Sequence, residues 1–300
     1  VTEPIEPDEH HLNDLVTFAR LEIESADVEP WAMILRELRN RGVVDDDGAA
    51  WLVKCYNAYD SFHSAWSVFR RWPSPFAWAR ASDKNDAALY ECTQERRNLR
   101  GGRVLKHLDA YVEALAGQNP IRWAAQGVLG DDPNRDFARL TAWLRNVWGV
   151  GRQTAFEWAE FLAKVCDLPV DAGDAQLWES EGPRRSLQRL YGNSKPSPQW
   201  LDDRAHECKA MIADRGVTLA WWDFETIICD YNVMRDGRYY VGRHLAALRG
   251  ELDECPEDDR DLLLDVFRSM LPEAWRNIAP NIDKTKMPVY RDTGRIIDEP

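Results

Sequence analysis

The stretch LRNVWGVGRQTAFEWAEFLAKV, residues 144–165, decides the fold. Apolar residues at helical spacing run up to Trp148, Gly149-Val150-Gly151 interrupts them, and a second amphipathic run begins at Arg152. Two glycines let the backbone reverse tightly, with Val150 between them free to enter the core. The amides that open the second helix then point outward, where an oxygen anion would be held. The same residues also fit an ordinary αα-turn. A dinucleotide fingerprint does not fit: it needs a preceding strand, a third glycine and a parallel sheet downstream.

The helical pattern extends outward from this hairpin. A helix is predicted from about Asp132 to Trp148, with Pro133 just inside an Asp cap, and another from about Arg152 to Val165. Upstream, Trp51, Cys55, Tyr59, Phe62, Trp66 and Phe69 step by threes and fours, predicting one long core helix that starts after the Asp-rich DDDG and stops at Trp72-Pro73. Further helical patterns fit residues 102–116, 198–214, 217–229, 243–252 and 258–270. Alternating β-branched runs are nearly absent, so the class is all-α in two lobes. The divisions expected are an acidic tail 1–9, an N-terminal helical lobe 10–130, a hairpin-containing lobe 131–277 and a C-terminal tail 278–300.

Composition bounds the function. No run approaches the roughly 18–20 apolar residues of a membrane span, and the first residues are acidic and Pro-rich, so a cytoplasmic protein with no membrane partner is expected. The six cysteines form no CxxC pair, so neither a zinc site nor a disulfide framework is expected, and no metal or cofactor. The net charge of −13 argues against a polyanionic partner until its distribution is read. Residues 1–30 carry −8 and residues 251–265 carry −7, leaving +2 on the remainder. Within it, 93–106 (+4), 183–195 (+4) and 235–249 (+3) are locally basic. A solvated helix face accounts for any one of them equally well.

Several groups in these segments are candidates for chemistry. Arg96, Arg97, Arg100 and Arg103 surround the pair Gly101-Gly102, and guanidinium forks beside glycine suit a diphosphate or a DNA backbone. A charged surface helix is the alternative. Gly149, Gly151, Arg152 and Gln153 form the hairpin. Beyond it, Asp171 and Asp174 lie in LPVDAGD, where a carboxylate serves as a general base or as a helix N-cap. Glu225 and Asp230 sit in ETIICDY, followed by Arg238, Tyr239, Tyr240 and Arg243, which offer stacking faces beside phosphate donors or straddle a packing seam. Cys229 is a candidate thiolate by location, with an inert core thiol as the alternative. HExxH and GxxxxGK[ST] are absent, which removes the common hydrolase and kinase motifs.

The hairpin resembles the helix-hairpin-helix of the DNA glycosylase superfamily, and Val170-Asp171 stands close to where those enzymes place a catalytic Asp, although Ala-Gly-Asp follows it here. Taken in order, ERRNLRGG, GVGRQTAFEWAEFLAKVCDLPVD and ETIICDYNVMRDGRYYVGR resemble the alpha-glutamyl/putrescinyl thymine pyrophosphorylase family, the amino acid:DNA transferases, over roughly residues 45–255. The resemblance implies a two-lobed, glycosylase-like helical fold and a bacteriophage enzyme working in the host cytoplasm. It implies DNA carrying a modified thymine as one substrate and an amino acid or polyamine as the other, pyrophosphate being displaced from 5-pyrophosphoryloxymethyluracil. From residue chemistry, Arg96, Arg97, Arg100 and Arg103 are then expected on the diphosphate or backbone and Gly149–Gln153 on a strand. Asp171, Asp174 and Glu225 are the expected acid–base groups, and Asp230, Arg238, Tyr239, Tyr240 and Arg243 the expected base or amino-acid pocket. A base-excising DNA glycosylase and a non-catalytic helical DNA-binding phage protein use the same features.

Overall fold

The computed structural model describes residues 6–130 and 132–276, together with the backbone of 289–291 and 295–297. It is helical: α1 (Glu9–Ser25), α2 (Pro30–Asn40), α3 (Asp46–Tyr59), α4 (Phe62–Arg71), α5 (Pro75–Arg80), α6 (Gly102–Leu115), α7 (Pro120–Ala125), α8 (Pro133–Leu144), α9 (Arg152–Cys166), α10 (Glu181–Leu190), α11 (Pro198–Asp214), α12 (Trp221–Arg235), α13 (Arg243–Glu254), α14 (Glu257–Met270) and α15 (Glu273–Arg276). The sole extended pairing among the described residues is antiparallel, β1 (Val289–Arg291) with β2 (Arg295–Ile297). The remainder of the expected C-terminal tail, and residues 1–5 of the expected acidic tail, lie outside the described residues.

The chain forms two compact units, neither continuous in sequence. One takes Trp31–Asp171 and Leu248–Met270; the other takes the segments ending at Pro30, Ala172–Ala247 and those from Leu271 on. No helix among the described residues is long and apolar enough to cross a membrane.

In the first unit α3 is the axis. Every residue from Gly48 to Tyr59 is buried, so this helix is covered on all faces by its neighbours, chiefly α4 and α9. Tryptophan fills the space between helices. Trp51 stacks on Tyr111 (centroids 6.1 Å apart), Tyr111 meets Trp158 edge-on, and Trp158 stacks on Trp123. Buried indole N–H groups need acceptors: Trp51 Nε1 donates to the Trp72 carbonyl (2.7 Å), Trp66 Nε1 to Asp259 (3.0 Å), Trp72 Nε1 to Asp83 (3.1 Å) and Trp78 Nε1 to Asp109 (2.9 Å).

The single long helix expected from Trp51 to Phe69 is instead two. Asp60 takes a left-handed conformation (φ 56°) and ends α3, and the Ser61 hydroxyl accepts from the Ser64 amide to start α4. Phe62, Trp66 and Phe69 keep helical spacing within α4, so the apolar step alone does not reveal the break. α3 also begins within the acidic run, capped by Asp45, where Asp46 and Asp47 favour the positive end of the helix dipole.

In the second unit α1, α10, α11 and α12 share one core, including Phe18, Leu187, Leu201, Ile212, Phe224, Ile227 and Tyr231. The helix expected at 217–229 starts four residues later and runs to Arg235, because Val217 and Leu219 are buried before the helix begins at Trp221. α1 lies in the most acidic part of the sequence, yet it buries Leu12, Leu15, Val16, Phe18 and Ala19 along one face.

Candidate nucleic-acid interface and buried carboxylate cluster

In the first unit the glycine hairpin meets the basic segment. α8 ends at Leu144, Val147 and Val150 are buried, and Gly149 turns the chain at φ +84°. A Cβ on Gly149 would stand 3.0 Å from His107 Nδ1 and 3.3 Å from Leu99, so neither the backbone angle nor the space suits another residue. Gly151 differs: its φ is −87°, it is exposed, and nothing lies within 4 Å of where its Cβ would be. It is the N-cap of α9.

A buried polar relay holds this turn. His107 Nδ1 lies 2.7 Å from the Trp148 carbonyl and must donate to it, which leaves Nε2 as an acceptor; Lys54 Nζ donates to Nε2 at 2.6 Å. Lys54 is fully buried, with its amine 3.8 Å from the centre of the Trp158 ring and 3.4 Å from Asn57 Oδ1. Burial pushes both basic groups well below their ordinary pKa values, and for His107 the neighbouring Lys54 adds to the effect. Sequence reading missed Lys54 and His107, because a lone charge within an apolar stripe reads as solvent-facing.

Of the four arginines in the basic segment, one is internal. Arg96 is 4% exposed; its Nε donates to the Asn57 carbonyl (2.9 Å) and its Nη2 pairs with Glu157 of α9. Burial opposes its charge, but Glu157 and Asp60 outweigh that and hold its pKa above the ordinary value. Arg96 thus ties the basic segment to α3 and α9. Burial and Glu157 lift the nearby Asp60 carboxyl to about 7, against the opposing pull of Arg96.

Arg97, Arg100 and Arg103 are exposed. Lys106 and Arg103 lie over the Trp148 ring at 4.2 and 6.0 Å, immediately before the hairpin glycines. α6 starts at Gly101 (φ +64°) and α9 at Gly151, and neither start has a side-chain cap or an acidic residue in its first turn. Two helix N-termini with uncompensated amide dipoles, beside Arg100, Arg103, Lys106 and Arg152, make this surface electropositive in an acidic protein. Gln153 is exposed on the first turn of α9. Asp171, also exposed, is anchored through its backbone N–H to the Pro133 carbonyl at the start of α8 (3.1 Å).

The second unit holds the other candidates. Asp174 is exposed, and its Oδ1 accepts from the Gln176 amide in a local turn. Glu225, half-buried on α12, accepts from the Ser180 hydroxyl (2.8 Å). Arg238 pairs with Asp236, and Arg243 donates to the Arg238 carbonyl while lying over the Tyr239 ring at 5.7 Å. Cys229 backs onto Gly182, and burial raises its thiol pKa, so nothing here favours a thiolate.

Tyr239 is buried, and its hydroxyl marks a carboxylate cluster. It donates to Asp27 Oδ2 (2.8 Å) and lies 3.2 Å from Glu22 Oε2. Asp27 also accepts from the Gly242 and Leu245 amides, each at 2.7 Å, and so ties α1 to the start of α13. His244 Nδ1 lies 3.8 Å from Asp230. Burial, then the charges of Asp27 and Asp230, raise the Glu22 pKa well above the carboxylate range; burial lifts Asp230 to about 6 although His244 and Arg243 pull it down. Tyr240 is half-buried. Asp230 and Tyr239 were legible as candidates, but Glu22 and Asp27 were not, since an acidic segment signals solvent, nor was His244, a lone histidine within a basic stretch. No group of His, Cys, Asp and Glu among the described residues has the arrangement of a metal site.

An all-helical fold with guanidinium groups and bare helix N-termini gathered on a glycine hairpin is equipped to hold a polyanionic chain. The sequence matches the amino acid:DNA transferase family over residues 23–238, and the chain belongs to that family. It is therefore a transferase that acts on DNA with an amino acid as co-substrate. The match takes in the hairpin, the basic segment and α12, and stops just short of Tyr239. No curated protein matches the chain significantly.

Proposed function

We propose that this transferase hypermodifies thymine-derived bases in bacteriophage DNA, replacing the pyrophosphate of 5-pyrophosphoryloxymethyluracil with an amino acid or amine. The observation that supports a DNA-backbone grip most directly is the meeting of Arg103 and Lys106 with Trp148 of the hairpin, beside the uncapped starts of α6 and α9. The hairpin would act as in the helix-hairpin-helix glycosylases, its amides and arginines on a strand and the target base extruded from the stack.

In the reaction, the amine nitrogen bonds to the exocyclic carbon at position 5, the carbon–oxygen bond to pyrophosphate breaks, and the proton released by the amine passes to a carboxylate. Arg97, Arg100 and Arg103 offset the charge gathering on the leaving diphosphate. Asp171, exposed at the end of the hairpin unit, is the proton acceptor favoured here, with Asp174 and Glu225 as the other candidates. Arg238, Tyr240 and Arg243 are the accessible members of the proposed base or amino-acid pocket, and the buried Asp230 and Tyr239 support it from beneath, Tyr239 through Glu22 and Asp27. Arg96 contributes by fixing the basic segment against α3 and α9.

The test is incubation with DNA containing 5-pyrophosphoryloxymethyluracil and a mixture of amino acids, followed by mass spectrometry of the digested nucleosides. An amino-acid adduct is expected. Free base indicates excision, and unchanged DNA indicates binding alone; either refutes the proposal. Arg97→Ala and Asp171→Asn are expected to lose turnover, and full activity in both would refute the assigned roles.

A further inference from the structure

The basic segments 183–195 and 235–243 take no part in the hairpin, yet they come together within the second unit. α10 packs along α12, and Asp236, just past the end of α12, accepts from Arg189 (2.9 Å) on one side and Arg238 (3.0 Å) on the other. Next to this junction lies an open cleft of about 480 Å³, lined by Arg185, Gln188, Arg189, Gly192, Asn193 and Ser194. Its lining has two guanidiniums, two carboxamides and a hydroxyl, with no carboxylate and no large apolar side chain. Such a lining is conspicuous in a chain of net charge −13.

The guanidiniums are only partly used. Arg185 pairs with Glu181 and Arg189 with Asp236, each through Nη2, and both side chains remain about half exposed, at 55% and 45%. Pairs this exposed contribute little to stability, so a phosphate oxygen can share or replace them at small cost. Lys195, exposed at the end of the lining loop, adds a third cation. The carboxamides are engaged in shaping the loop, Gln188 Nε2 donating to the Ser194 carbonyl (3.1 Å) and Asn193 Oδ1 accepting from the Lys195 amide (3.0 Å), so the cations are left to meet the anionic oxygens that every nucleotide carries.

We infer that this cleft is a second DNA-backbone site, in which Arg185, Arg189 and Lys195 hold phosphodiesters of the substrate DNA. The inference deepens the proposed function and rests on its reading of DNA as the macromolecular substrate. Each unit then has its own phosphate-binding surface: the hairpin in one, the α10 cleft in the other.

The experiment is fluorescence anisotropy with a 30-base-pair duplex and the full chain, titrated at salt concentrations from 50 to 300 mM. Each lost phosphate contact lowers the slope of log K against log salt by about 0.9, so Arg185→Gln with Lys195→Gln is expected to lower it by up to about 1.8. The double variant Arg80→Gln, Arg268→Gln makes the same change in net charge at exposed positions outside the cleft and is expected to keep the wild-type slope. A cleft variant with the wild-type slope and melting temperature overturns the inference. So does a variant that binds DNA as before but is no longer inhibited by inorganic pyrophosphate, since the cleft then serves the leaving group. Adduct formation by the wild-type chain is followed separately: a changed slope without any adduct leaves the cleft standing and refutes the transfer chemistry.

Discussion

Replacing Gly149 with alanine isolates what the hairpin requires of its first glycine. At φ +84° an L-residue sits in the left-handed region, at a cost of roughly 1–2 kcal/mol. The new Cβ would press on His107 Nδ1 at 3.0 Å and Leu99 at 3.3 Å. Both must yield by a few tenths of an ångström, and His107 cannot yield without stretching its bond to the Trp148 carbonyl, worth about 1 kcal/mol. The sum is on the order of 3 kcal/mol, or about 6–12 °C in melting temperature for a unit of this size. Gly151→Ser is the control. Its φ is ordinary, its Cβ has open space, and a serine there can cap α9, so the melting temperature is expected to hold or rise slightly. Circular dichroism melts of the two variants read this directly, with DNA affinity measured alongside. A Gly149→Ala protein that melts within about 1 °C of wild type would refute the account of the turn.

Two further outcomes follow from the buried groups. Arg96→Ala strands Glu157 in a partly buried site and is expected to cost about 3–5 kcal/mol, lowering soluble yield, whereas Arg100→Gln should leave the melting temperature unchanged and lower only the salt slope of DNA binding. In the carboxylate cluster, Asp230 is lifted from 3.8 to about 6, so the folded unit holds a proton that the unfolded chain releases. The stabilisation from that group is full below about pH 4 and is lost as the pH rises through 6. Asp230→Asn is therefore expected to raise stability relative to wild type by about 2–3 kcal/mol at pH 8 and hardly at all at pH 4; equal effects at both pH values in denaturant titrations would contradict it.

The parts of the fold legible in the sequence are those written locally. Ser197-Pro198 fixes the start of α11, Asp132-Pro133 that of α8, and Gly149 and Gly151 bracket the hairpin, because caps, proline and left-handed turns act within a few residues. What stayed hidden depends on partners distant in sequence. Arg96 reads as one more surface arginine until Glu157, 61 positions away, is packed against it. Lys54 is buried because α6 supplies His107 and α9 supplies the Trp158 ring. α1 was obscured by its charges, since Glu22 and Asp27 become interior only when Tyr239 and the start of α13 close over them. In the interface, the arginines and glycines were legible but Lys106 and Trp148 were not. Their role arises from a cation placed over a ring, which no spacing within α6 announces.

The three-part second unit sets the order in which the protein can be completed. Asp27 finds its partners Tyr239, Gly242 and Leu245 between 212 and 218 positions further along the chain. A ribosome working at about 5–20 residues per second must add that whole length before Asp27 gains these partners. At that rate Asp27 waits on the order of tens of seconds for these partners, its carboxylate meanwhile held by water. Neutralising the acidic residues within 1–30 is therefore expected to show first as aggregation during synthesis, read as a lower soluble fraction at unchanged expression.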